Sequence, residues 1–257
     1  MIFYKTEEEI ELIRQSALIL SKAHGEIALL VKEGVSTLEL DKRAEEFILD
    51  HNAKPSFKNY NGFPYSLCIS VNSTVVHGMP SDYVLRDGDV ISVDCGVYHK
   101  GFHSDCAYTH AVGNVSDDVR KLLTVTEESL YRGIEHAIVG SRLGDISYAV
   151  QQHAESNGYG VVRELVGHGL GRNLHESPEV PNYGRRGQGI KLQNGLVIAI
   201  EPMVNLGTRN IVQEEDGWTI RTRDNKPSAH FEHTVVVRKD KAEILTSFEY
   251  IKQAKQQ

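Results

Sequence analysis

Carboxylates close or interrupt four runs of residues that otherwise belong in a protein interior. Asp94 ends DVISVD, Glu201 ends GLVIAIE, Asp105 lies in HSDCAYTH and Glu232 lies in AHFEHTVVV. Short apolar runs rich in Val and Ile, bounded by Gly, Asn and Pro, read as strands. An ionised carboxylate buried in such a strand costs on the order of a few kcal/mol unless it is paired or binds a cation. The acids therefore constrain the fold itself: it must bring them to one place and give them positive charge.

The chain also repeats itself. LRDGDVISVD, residues 85–94, aligns without a gap with LQNGLVIAIE, residues 192–201, at an offset of 107. The glycines Gly34 and Gly140 follow helical stretches at an offset of 106. His77 with Pro80 is matched by His175 with Pro178, and Asp105 with Ala107 by Glu232 with Thr234. Recurrence in one order at nearly one offset predicts a duplicated α+β half, residues 1–113 and 114–257, within a single domain 1–257. Two such halves pack most simply about a pseudo-twofold axis, where equivalent strand-end acids meet.

Helix signals surround the strands. Thr6 and Glu9 form a capping box before a series that runs through Ile10, Ile13, Ala17, Leu20, Ile27 and Val31, with Gly34 as the stop. Ser36 and Glu39 open a second helix ending near Asn52. Strands are expected from Pro55 to Gly113. Ser116 caps a third helix through Ile138, a fourth covers Asp145 to Ser156, and short strands return to the C-terminus.

Composition narrows the chemistry. Lys and Arg number 28 against 35 Asp and Glu, a net charge of −7 over 257 residues. A phosphate-backbone partner needs a basic face, so a nucleic-acid substrate is not expected. The longest aliphatic run, around residues 196–200, falls far short of the roughly 20 residues that span a bilayer, so no membrane span is expected. The three cysteines, Cys68, Cys95 and Cys106, are too few for a disulfide framework. They suit a reducing, cytoplasmic compartment, and the acidic start MIFYKTEEEIELIRQ does not read as a signal peptide.

A hairpin turning at His99-Lys100 sets Asp94 opposite Asp105 on one face. Two adjacent carboxylates share a proton or hold a cation. With Glu201 and Glu232 added, one or two divalent ions are the simplest neutralising partner. His168, between Gly167 and Gly169, is the natural nitrogen ligand. His77 and His175 are read as ligands, proton donors or ordinary half-buried histidines that flank the site. Cys95 and Cys106 each follow an acid in a strand, so alternation sends them to the opposite face as core residues.

In order and spacing, Asp94, Asp105, His168, Glu201 and Glu232 resemble the five metal ligands of the methionine aminopeptidases. HSDCAYTH, GHGLGRNLHESP, IEPM, FEHT and CISVNSTVVHGMP each resemble a motif of that family, and together they cover the chain from the first helix to Glu243. The resemblance implies the pita-bread α+β fold with two pseudo-symmetric halves around a dinuclear metal site, in the short bacterial type I form. It implies two divalent ions, cobalt, manganese, iron or zinc, bridged by Asp105 and Glu232. Asp94 would complete one metal, and His168 with Glu201 the other. By similarity Glu201 is the proton shuttle, His175 a donor to the oxyanion, and His77 a contact near the leaving amine. Tyr60, Phe63, Cys68 and Trp218 would line the methionine pocket, and Leu174 falls where relatives carry a bulky aromatic, which would widen it. The implied substrates are nascent polypeptide N-termini, which lose the initiator methionine. The ribosome is the implied neighbour, and the enzyme is expected to be a cytoplasmic monomer.

Three other readings share some of these residues. Prolidase and aminopeptidase P have the same ligand types on typically longer chains. A pita-bread binding module would drop ligands, whereas this chain keeps all five. A two-metal phosphatase or nuclease would want a basic cluster near the ligands.

Overall fold

Both helices of the first half begin at capping boxes. The Thr6 hydroxyl accepts from Glu9 N while the Glu9 carboxylate accepts from Thr6 N, and Ser36 and Glu39 repeat the exchange. The computed structural model, which describes residues 1–256, places α1 at Glu7–Leu30 and α2 at Thr37–Asp50 behind these caps. Ile10, Ile13, Ala17, Leu20 and Ile27 form the buried face of α1, as their spacing predicts. Gly34 lies beyond the helix end, in the turn that follows.

The second half repeats the pattern with α3, Asp117–Ile134, and α4, Leu143–Ser156. α3 stops short of the expected Ile138. Ile138 instead bridges to Arg238, and Val139 N donates to Arg238 O at 2.9 Å, so sheet pairing takes these residues from the helix. α4 begins two residues earlier than expected, where the Asp145 carboxylate accepts from Arg142 N. A fifth helix, α5 at Glu249–Ala254, stands where only strands were expected. Six residues are too few to show a helical period; its Ile251 is buried, and its Tyr250 lies against Gly25 of α1.

In the first half, Val90–His99 is the central strand. Phe102–Ala111 pairs along one edge, and Leu67–Val71 and Lys54–Pro55 share the other. In the second half a five-stranded sheet runs Glu243–Ile244, His233–Val236, Val197–Ile200, Gly167–Gly169, Glu176–Val180. Two three-stranded sheets complete the fold.

The hairpin register differs from the expected one. Asp94 pairs with Ala107 and Asp105 with Gly96, two residues from the predicted pairing, because the turn is Lys100-Gly101. Both turn residues have positive φ, +50° and +90°. That two-residue geometry matches the twist of the flanking strands, and glycine takes it without strain. A shift of two preserves side-chain alternation, so Asp94 and Asp105 still share a face.

Side chains stitch strand Phe102–Ala111 to two sheets of the second half beside that face. Thr234 Oγ1 donates to Asp105 O and accepts from Asp105 N, at 2.7 and 3.0 Å. Thr109 Oγ1 does the same with His230 O and N, at 2.7 and 2.9 Å. Glu232 N donates to Ala107 O at 2.9 Å. The seam sets Glu232 beside Asp105.

Candidate metal centre and active site

Each acid reaches the seam from a strand or its end. Asp94 and Asp105 lie within the hairpin strands, Glu201 directly follows Val197–Ile200, and Glu232 sits between Ser228–His230 and His233–Val236. His168 is the centre of Gly167–Gly169. A Cβ on Gly167 would come 2.4 Å from Ala199 O, and one on Gly169 2.5 Å from Ser177 O, so only glycines let this strand lie so close.

His168 Nε2 stands 3.8 Å from Asp105 Oδ2 and 3.6 Å from Glu201 Oε1. Asp105, His168 and Glu232 each bring one ligand atom within 4.8 Å of the others. With Nδ1 protonated, His168 donates to Gly169 O at 2.9 Å, which leaves the Nε2 lone pair facing the acids.

The electrostatics are those of a site short of positive charge. Burial raises the Asp94 carboxyl to about 7. Burial, then the neighbouring Glu232 and Asp94, hold Asp105 well above the usual carboxylate range. Burial is likewise the main cause for Glu201 and Glu232, followed by the other acids. Burial, then His175, pulls His168 down to about 3 and keeps it neutral, the form that binds a metal. Among the described residues, no Lys or Arg lines the cavity. Asp94 Oδ1 and Glu232 Oε1 are buried without a hydrogen-bond partner. Convergent carboxylate oxygens, two of them unpartnered, beside a neutral imidazole fit a divalent cation.

All the candidate ligand, catalytic and pocket residues read from the sequence line one cavity of about 380 Å³. Its polar wall carries the acids with His168, His77 and His175. Its apolar end is a cluster of Phe57, Phe63, Cys68 and Leu174, against which Trp218 packs. Phe63 and Trp218 meet edge to face with centroids 5.2 Å apart. The Asp216 carboxylate accepts from Trp218 N and Thr219 N, which sets the turn that brings the indole inward. Tyr60 stands at the rim with its hydroxyl 2.8 Å from His175 Nδ1. His77 has φ +57°, a strained conformation for a non-glycine residue that only its surroundings can hold. Cys95 and Cys106 face each other across the hairpin in the hydrophobic core, outside the cavity.

Sequence reasoning missed eight of the lining residues, among them His230, Phe57 and Met203. His230 is 1% exposed, its Nε2 is 3.8 Å from Glu201 Oε2, and neither ring nitrogen has a hydrogen-bond partner. Strand alternation carried the signal, since His230 precedes Glu232 by two residues. Phe57 and Met203 carry no comparable signal, because an apolar residue in a pocket wall looks like any core residue.

Comparison with known proteins bears on what this arrangement does. Residues 11–239 match the model of metallopeptidase family M24. A methionine aminopeptidase of Clostridium perfringens is 54% identical over 96% of this chain and 99% of its own length. Methionine aminopeptidase 1 of Bacillus subtilis is 50% identical over the same shares. The crystal structure of the Thermotoga maritima methionine aminopeptidase superposes with a TM-score of 0.95 at 41% identity, covering 96% of this chain and all of that one. The fold is thus the pita-bread α+β fold expected from the resemblance. The chain belongs to metallopeptidase family M24 and, within it, to the methionine aminopeptidases.

Proposed function

We propose that this aminopeptidase removes the initiator methionine from nascent polypeptides with two divalent ions held by Asp94, Asp105, His168, Glu201 and Glu232. The observation that carries the reading is the meeting of four carboxyls, buried at Asp105 and Glu232 and half-buried at Asp94 and Glu201, with a neutral histidine in one cavity that no Lys or Arg among the described residues lines. Asp105 and Glu232, side by side at the seam, would be the ligands that both ions share. When bound, such ions polarise a carbonyl and lower the pKa of a coordinated water toward neutrality, which supplies a nucleophile.

The chain's own residues do the rest. If the Tyr60 hydroxyl donates to His175 Nδ1, Nε2–H is left as a donor to the oxygen that gains charge as the scissile carbonyl is attacked. Glu201, within reach of both His168 and His230, is the carboxylate placed to move a proton to the leaving amine. His77 contacts the substrate backbone beside that amine. Phe63, Cys68, Leu174 and Trp218 enclose an apolar slot for the unbranched, flexible methionine thioether, with Tyr60 at its rim. Every one of these residues comes from one chain, so a monomer suffices. The three cysteines are buried and unpaired, which suits the cytoplasm, where nascent chains leave the ribosome. Among the described residues, no helix is long and apolar enough to cross a membrane.

The test is kcat/KM of the metal-loaded enzyme on Met-Gly, Met-Ala, Met-Leu, Met-Lys and Leu-Ala peptides. A large second side chain would meet His77 and His175 before the carbonyl reached the acids, so Met-Gly and Met-Ala should dominate. Comparable values for Met-Lys and Met-Ala would contradict this placement of the histidines. Efficient cleavage of Leu-Ala would mean that Leu174 leaves the slot too wide for methionine selectivity.

A further inference from the structure

The first residues of the chain lie over the loop that carries His175. Ile2 bridges to Ser177 and Tyr4 to Leu196, and Lys5 N donates to Gly195 O at 2.8 Å. The Lys5 side chain then turns inward. Its ammonium meets Glu176 Oε2 at 2.5 Å, with 5% and 3% of the two side chains exposed. The other Glu176 oxygen accepts from Asn173 N at 3.1 Å and closes the turn that contains His175. Glycines make the room. A Cβ on Gly171 would lie 2.4 Å from Lys5 Cε, and one on Gly195 2.6 Å from Lys5 O.

Neither Lys5 nor Glu176 lines the cavity, and the proposed reaction uses neither. A buried ion pair is a poor source of net stability, because desolvation offsets its attraction. What it does well is fix geometry. Glu176 is the next residue after His175, so its position limits where the imidazole can point, while the Tyr60 hydroxyl holds the ring at Nδ1.

We propose that Lys5 is a positioning residue: by clamping Glu176 it sets the 171–176 loop so that His175 faces the substrate carbonyl. The inference rests on the reading of His175 as a substrate-facing donor.

The test uses the full, metal-loaded chain with a Met-Ala-Ser peptide. Lys5→Met should lower kcat by about ten- to a hundredfold, the cost of misplacing a reacting contact by an ångström or less, with metal content and KM unchanged. Lys5→Arg, which keeps the charge, should recover part of the loss. In a His175→Ala background, Lys5→Met should cause no further loss, since nothing remains to be positioned. The pair Lys5→Met with Glu176→Met leaves no lone buried charge, so it should fold even if the single variant does not. Its kcat should stay low, because Asn173 N has lost its acceptor.

Parental kcat in either folded variant would overturn the proposal. So would a loss that adds in full to that of His175→Ala. Parental turnover in His175→Ala itself would overturn the reading of His175, and this inference with it.

Discussion

Asp105 is held where burial and neighbouring charge both oppose its ionisation. A carboxyl whose folded pKa lies above its unfolded value contributes stability that is full below the unfolded pKa and is lost as pH rises through the folded pKa. For the metal-free protein this loss sets in above the ordinary aspartate range and continues as pH rises through the raised value of Asp105, and Asp94, which burial raises to about 7, adds to it. Asp105→Asn should therefore melt at or above the parent when metal-free, and its advantage should grow as pH rises from 4 to 8. The amide oxygen can still accept from Cys106 N, so the local backbone is kept. Added manganese should raise the melting temperature of the parent, because an ion that binds only the folded state stabilises it. It should do little for Asp105→Asn. A variant that melts well below the parent throughout this range would show that Asp105 is kept for structure. At this scale the acids were legible because each breaks an apolar run. The contact of Tyr60 with His175 was not, since 115 residues separate the two in the chain and only the fold joins them.

Turn chemistry decides where the strands sit. The hairpin was legible as two alternating runs, and the shared face of Asp94 and Asp105 followed from their period of two. The register lies two residues from the one expected for a turn at His99-Lys100, because Gly101 takes a positive φ without strain and draws the turn to Lys100-Gly101. A Cβ on Gly101 would meet nothing within 4 Å, so Gly101→Ala tests backbone strain alone. It should cost about 1 kcal/mol, read as a lower urea midpoint at unchanged slope, with metal affinity retained. An unchanged midpoint would mean that the turn does not hold the register. The helices show the same division. Capping boxes at Thr6 and Ser36 marked two helix starts, whereas the end of α3 depends on the bridge between Ile138 and Arg238, a partner about a hundred residues away.

The whole molecule sets strand Phe102–Ala111 of the first half against strands Ser228–His230 and His233–Val236 of the second along a seam, and the acids line it. The duplicated LRDG and LQNG segments made this legible, because similar halves bring similar strand ends together. The stitching by Thr109 and Thr234 was hidden, since a threonine in a strand carries no mark of a partner in the other half. The central claim is that this seam holds two ions through five side chains. Anomalous diffraction from crystals grown with manganese, collected above and below its absorption edge, tests it most directly. The account predicts two peaks, each about 2.0–2.3 Å from its ligands: Asp94, Asp105 and Glu232 on one, and Asp105, His168, Glu201 and Glu232 on the other. A single peak, or a pair of peaks that leaves any of the five side chains more than about 4 Å away, would contradict it.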